Sequence, residues 1–173
     1  MSIKYLFVCG CPRSGTTALV KLLNSHPSIA IGMERYKYWS TKNKIKKLQK
    51  QSFQAKNFFD IKDEETNVKW GYFYKDLKAK FSNKNLIVGD KNPHYYRFYQ
   101  EIEEQFKNVK WIFLVRDIND VALSYNKRAA NPKDAWPEES NFVTAVEHWN
   151  SSLTKTWEHF GDRKVNNLLV CEY

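Results

Sequence analysis

The chain has 173 residues, room for one folded domain, and its 42% hydrophobic and 27% charged residues describe a globular rather than a disordered protein. No apolar run approaches the ~18–20 residues of a membrane span, and Tyr5–Cys9 is too short for a secretory signal core, so a cytoplasmic protein without membrane association is expected. Lys plus Arg outnumber Asp plus Glu by 28 to 19, and residues 35–85 alone hold 14 of those cations against 5 acids.

Ile3–Cys9 is a short apolar run suited to a buried parallel strand. Gly10–Gly15 is a turn. Thr16–Ser25 reads as a helix, with Leu19, Leu22 and Leu23 at i, i+3 and i+4, and His26-Pro27 stops it. Ser28–Gly32 is a second strand. Residues 35–85 mix lysines with aromatics (Tyr36, Tyr38, Trp39, Phe58, Phe59, Trp70, Tyr72, Phe73, Tyr74) and are expected to hold helical pieces. Leu86–Val88 is a third strand, Tyr95–Phe106 a helix, and Val109–Val115 the clearest strand. Asp117–Arg128 is a helix whose first turn carries Asp117 and Asp120, favourable to its dipole. Residues 130–140 form a loop. Asn141–Phe160 is the strongest helix: Phe142, Val146, Trp149, Leu153, Trp157 and Phe160 trace one apolar stripe, and Gly161 suits the position past its end. Leu168–Cys171 begins a last strand, after which the chain stops at Tyr173 without the connection and helix that normally cover a sheet. Strands alternating with helices predict an α/β fold around a parallel sheet. Residues 1–173 are read as a single domain lacking its C-terminal part.

The basic segment is either a solvated face of surface helices or a positive surface that steers an anionic ligand. Lys42, Lys44, Lys46, Lys47 and Lys50 match no nucleic-acid motif, so no nucleic-acid partner is expected. Cys9, Cys11 and Cys171 cannot pair completely, and Cys9-x-Cys11 lacks the second ligand pair of a zinc site.

Gly10-Cys11-Pro12-Arg13-Ser14-Gly15-Thr16-Thr17 follows a strand and opens a helix. It fits the phosphate-loop pattern G-x-x-x-x-G-K-S/T except that Thr16 stands where the lysine belongs. Free N–H groups at a helix start and the helix dipole still favour an anion there. Arg13 supplies a planar cation suited to tetrahedral oxyanions, while the lysine that reaches the β/γ-phosphates of a nucleoside triphosphate is gone. The loop is expected to bind a phosphate-like group rather than a triphosphate with Mg²⁺. Pro12–Thr17 resembles the sulfotransferase family, whose P-R-S-G-T-T loop holds the 5′-phosphosulfate of 3′-phosphoadenosine 5′-phosphosulfate (PAPS). The resemblance implies a three-layer P-loop-like fold with a central parallel β-sheet flanked by helices, and ligand roles for Arg13, Ser14, Gly15, Thr16 and Thr17.

Arg116 falls just past the strongest strand, and Ser124 lies eight residues on, so both can face one phosphate. Arg116–Tyr125 is similar to the family's second motif, whose Arg and Ser grip the 3′-phosphate of PAPS. The run Leu23–Glu34 looks like the tyrosylprotein branch, in which a His-Pro ends the helix and a Gly-x-Glu delivers the catalytic glutamate; this makes Glu34 the candidate base. Gly89-Asp90-Lys91-Asn92-Pro93 resembles the K-x-P segment of that branch, which assigns Lys91 to the sulfuryl group and the leaving oxygen. His94 is a rival base, since cytosolic members use a histidine just after a lysine, but Pro93 intervenes. His26, His148 and His159 read as structural or exposed.

The resemblance covers about residues 1–128, extends at most to the terminal strand, and leaves the basic, aromatic segment without a counterpart. It implies PAPS as donor, no metal, and a small-molecule, carbohydrate or peptide hydroxyl (or an amine) as acceptor, with Arg13 sharing the catalytic work of Glu34 and Lys91. The missing N-terminal anchor argues against a Golgi tyrosylprotein enzyme. A P-loop kinase or NTPase, and a non-catalytic fragment that binds PAPS or adenosine 3′,5′-bisphosphate, are the alternatives.

Overall fold

A central run of apolar side chains, Phe7, Val8 and Cys9, is wholly buried because the strand that carries it, β1 (Lys4–Gly10), lies in the middle of a parallel sheet. The computed structural model describes residues 4–40, 44–161 and 166–173; Ile3 and Lys42, named above, lie outside them. The other strands are β2 (Ile29–Met33), β3 (Ile87–Lys91), β4 (Lys110–Val115) and β5 (Leu168–Glu172), in the order β2-β3-β1-β4-β5 and all parallel. Helices α1 (Thr16–Leu23), α2 (Ala55–Phe58), α3 (Gly71–Lys78), α4 (Tyr99–Gln105), α5 (Ile118–Ala129) and α6 (Phe142–Phe160) flank it, giving the expected α/β architecture.

Register decides what the sheet can do. Lys91 pairs with Val8 on one side and Met33 on the other, and Gly10 pairs with Leu114. The carboxyl ends of all five strands therefore meet along one edge, where open α/β sheets place their ligands. Read along that edge, the chain presents Glu34, Lys91, the 10–17 loop, Arg116 and Tyr173.

The segment 44–82 folds as short 3₁₀ turns, α2 and α3. Most of its aromatics are core. Phe53 contacts the rings of Tyr5, Phe7, Tyr36, Phe58 and Phe106, extending the cluster on β1. Arg35, fully buried, holds the same segment: its guanidinium donates to the carbonyls of Asn57 (2.9 Å), Phe58 (2.9 Å) and Asp60 (2.8 Å) and pairs with Glu65 at 2.5 Å.

Three expectations need correction. The stripe assigned to α6 is only in part its buried face: Phe160 is buried and Trp149 and Leu153 pack on the core, as do Ala145, Ser152 and Thr156, while Phe142 and Trp157 are 53% and 71% exposed. Hydrogen bonds set the rotation, since Thr156 Oγ1 meets the buried Tyr99 hydroxyl at 3.0 Å and Trp149 Nε1 donates to the Arg116 carbonyl at 2.9 Å. Gly161 sits at φ −58, an ordinary right-handed conformation. The helix expected over 95–106 is split at Phe98 (φ −136) into a 3₁₀ turn, Pro93–Arg97, capped by Asn92, and α4.

Candidate active site

The turn after β1 is built from left-handed backbone. Gly15 has φ 89 and Arg13 has φ 72. Among the described residues only Arg13, Glu34 and Asn108 take positive φ without being glycine. Asparagine tolerates this conformation, whereas for arginine and glutamate it costs of order 1–3 kcal/mol and is kept where a side chain must be aimed. Two of the three strained positions are thus residues singled out for chemistry.

Glu34 follows β2. Its N–H donates to the Lys91 carbonyl (2.7 Å), and its carboxylate accepts from Lys91 Nζ (2.8 Å), with Lys37 Nζ at 3.6 Å. Arg35, its sequence neighbour, points away to Glu65 instead. Lys91 is 1% exposed and also donates to Thr17 Oγ1 at 3.3 Å. A continuous hydrogen-bonded path therefore runs from Glu34 through Lys91 to the first turn of α1. Burial would raise the Glu34 pKa, but attraction to Lys91 and then Lys37 outweighs it, and the carboxyl titrates below its ordinary 4.5. Glu34 is an ionised carboxylate that can accept a proton.

On the other side of the loop, Arg13 Nε donates to Ser124 Oγ (2.9 Å), so the two sequence motifs touch directly. Arg116 donates to the Arg13 carbonyl (3.3 Å), pairs with Asp120 (3.2 Å), and lies 5.1 Å from the centre of the Tyr173 ring. The same ring covers Gly15, where a Cβ would come within 3.0 Å of it. Asp117 caps α5, accepting from the N–H groups of Asn119 and Asp120. Partial desolvation, and after it the neighbouring Arg128, lower the Arg13 pKa.

These groups open into a cavity of about 730 Å³. Pro12, Arg13, Gly15, Thr16, Thr17, Glu34, Lys91 and Arg116 line it, together with Ala18, Lys21, Met33, Lys37, Asn67, Val68, Trp70, Pro93, Arg128, Ala135 and Trp136. Six cationic side chains face one acid there. Ser14 and Ser124 do not line it. Ser14 is fully buried with its hydroxyl unpaired, and Ser124 is reached through Arg13. His94 also lies off the cavity; burial, then Arg97 and His148, push its pKa down to about 3, so it is a neutral imidazole.

Lys21, Lys37, Arg128 and Trp136 were missed from the sequence. For two of them spacing carried a signal, since Lys21 stands four residues after Thr17 and Arg128 four after Ser124, each one helical turn along the same face. Arg128 is held by Asp134 (2.7 and 2.5 Å) and lies 4.6 Å over the Trp136 ring.

The profile described as the Sulfotransferase family matches residues 6–170. The chain is 28% identical over 171 residues to a protein-tyrosine sulfotransferase of Drosophila melanogaster, covering 97% of this chain and 34% of that protein. It is 32% identical over 123 residues to an uncharacterized protein of Aquifex aeolicus (strain VF5), covering 69% and 16%. The chain thus spans about a third or less of the length of these curated relatives. Among solved structures, the sulfotransferase domain from the curacin biosynthetic pathway superposes with a TM-score of 0.62 at 18% identity, covering 99% of this chain and 68% of that one. Sulfotransferase STF1 from Mycobacterium tuberculosis H37Rv gives 0.59 at 13% identity, covering 99% and 63%. Identities this low speak to the fold.

Proposed function

Because the chain belongs to the sulfotransferase family, we propose that it moves a sulfuryl group from PAPS to an acceptor hydroxyl or amine. The observation that carries this reading is the Glu34–Lys91–Thr17 path, which ties an ionised base to the phosphate loop inside one cavity. The residues divide the work. Gly15, Thr16, Thr17 and Arg13 take the 5′-phosphosulfate, with Ser14 shaping the loop from beneath. Arg116 and Arg128, with Ser124 behind Arg13, take the 3′-phosphate. Glu34 accepts the acceptor's proton as the new bond to sulfur forms, and Lys91 neutralises the phosphate oxygen released as the old bond breaks. Positioning and charge supply most of the acceleration, as in phosphoryl transfer. Among the described residues no helix is long and apolar enough to cross a membrane.

The test is transfer of labelled sulfate from PAPS to an acceptor panel of phenols, sugars and tyrosine peptides. Product formation without added metal supports the reading. ATP turnover that requires Mg²⁺ replaces it with a kinase. Thermal stabilisation by adenosine 3′,5′-bisphosphate without transfer replaces it with a binding fragment; such stabilisation reaches about 2.7 kcal/mol at 100 times Kd.

Two variants probe the halves of the cavity. Arg116→Ala combined with Ser124→Ala is expected to cut the preference for 3′-phosphorylated over 3′-hydroxyl nucleotide by about 10- to 100-fold, the size of one or two charge-assisted hydrogen bonds. Competition calorimetry reads it, and an unchanged preference removes both from the 3′ site. On the acceptor side, Lys21 stands 5.9 Å over the Trp70 ring, and neither Lys21 nor Lys37 is assigned to the donor. A negatively charged acceptor is therefore favoured. Lys21→Ala is expected to raise KM for an anionic phenol up to about fivefold and leave a neutral one unchanged.

A further inference from the structure

Asp90 is the penultimate residue of β3, next to Lys91, and is completely buried. Its carboxylate accepts three hydrogen bonds: from the Arg35 N–H (3.0 Å) on Oδ1, and from the Tyr36 N–H (3.2 Å) and the Tyr95 hydroxyl (2.7 Å) on Oδ2. The two amides are the first two after Glu34. Desolvation pushes the Asp90 pKa up to about 6 even though these donors pull it down. A carboxylate at this position is costly, and filling the sheet would require only an apolar side chain.

The surroundings are shaped to admit it. Gly32 pairs with Asp90 across β2 and β3, and a Cβ on Gly32 would lie 2.8 Å from Oδ1. Glu34 meanwhile holds φ 50, with its own N–H tied to the Lys91 carbonyl. The strained residue is thus fixed on both sides by neighbours on the end of β3: Lys91 before the bend, Asp90 after it. Asparagine would not serve, since its amide nitrogen cannot accept from an N–H and one of the two backbone bonds would be lost.

Resting on the reading of Glu34 as the base, we propose that Asp90 is a positioning residue: its carboxylate clamps the Arg35 and Tyr36 amides so that the bend at Glu34 keeps the Glu34 carboxylate against Lys91 and facing the cavity. Asp90 touches no reactant. It acts through Glu34, and its effect should disappear when Glu34 can no longer act.

The experiment compares Asp90→Asn, Glu34→Gln and the double variant for turnover of labelled sulfate and, by calorimetry, for affinity toward adenosine 3′,5′-bisphosphate. Asp90→Asn is expected to lower kcat about 10- to 100-fold, the cost of misplacing a reacting group by about an ångström, with bisphosphate affinity within twofold of the parent. The double variant is expected to be no slower than Glu34→Gln. Should Asp90→Asn fail to fold, Tyr95→Phe removes one donor and keeps the ring; it should slow turnover severalfold in the parent and not at all beside Glu34→Gln. A slow Glu34→Gln beside an Asp90 or Tyr95 variant of full activity overturns the positioning role alone. So does a slowing that multiplies in the double variant or comes with lost bisphosphate affinity. No transfer by the parent, or full activity of Glu34→Gln, overturns the base reading and the positioning role with it.

Discussion

Glu34→Gln is expected to lower turnover by about 10²- to 10⁴-fold, the range that a positioned general base supplies, and to leave affinity for adenosine 3′,5′-bisphosphate unchanged. Glutamine keeps the shape and an oxygen for Lys91, so the hydrogen bond at 2.8 Å persists. It cannot take up the acceptor's proton. Arg13, Arg116 and the loop amides are untouched, which is why binding and rate should separate. The pH profile adds a second check. Glu34 in the parent titrates below 4.5, so its ionised form is present throughout pH 5–8 and contributes no acid limb there. Steady-state transfer assays with calorimetry on the same preparation decide the matter, and an unchanged rate removes Glu34 from the base role.

On the proposed roles, Lys91→Met is expected to remove more than one function at once. A group that neutralises charge developing on a leaving oxygen is worth about 10²–10³ in kcat, and the same substitution strands Glu34. Without Lys91, Glu34 keeps only Lys37 at 3.6 Å against its burial. Burial raises a carboxyl pKa, so the acid limb should move upward, and activity at the acid end should fall more than activity at pH 8. Breaking one side of a buried pair costs about 3–5 kcal/mol; Glu34 keeps some contact with solvent, so the lower end is expected in thermal melts. An acid limb that does not move would show that Lys91 does not set the charge state of Glu34.

The strands other than β3 were legible because each is an apolar run of the right length, and the turn from β1 into α1 because its residues are contiguous. β3 was read three residues short. Gly89-Asp90-Lys91 has the composition of a turn, and only its position between β1 and β2 makes it strand. Periodicity also drew the apolar stripe of α6 too wide: Trp149, Leu153 and Phe160 face inward, but Phe142 and Trp157 stay exposed while the polar Ser152 and Thr156 are buried. The 44–82 segment gave no pattern because 3₁₀ turns of four residues are too short to show one. Arg35 and Asp90 were passed over for a common reason. Each is a charged residue that sequence places at the surface, and each is buried because backbone groups far away in the chain satisfy it.

The order β2-β3-β1-β4-β5 sets the Glu34 and Lys91 strand ends on one flank of the 10–17 loop and that of Arg116 on the opposite flank. On the proposed division of labour, nucleotide and acceptor approach from opposite sides, and neither has to leave before the other arrives. Random-order kinetics are the natural outcome. The same separation lets the 35–85 stretch diverge, or be grafted from another member, to change which molecule is sulfated while the nucleotide half stays as it is.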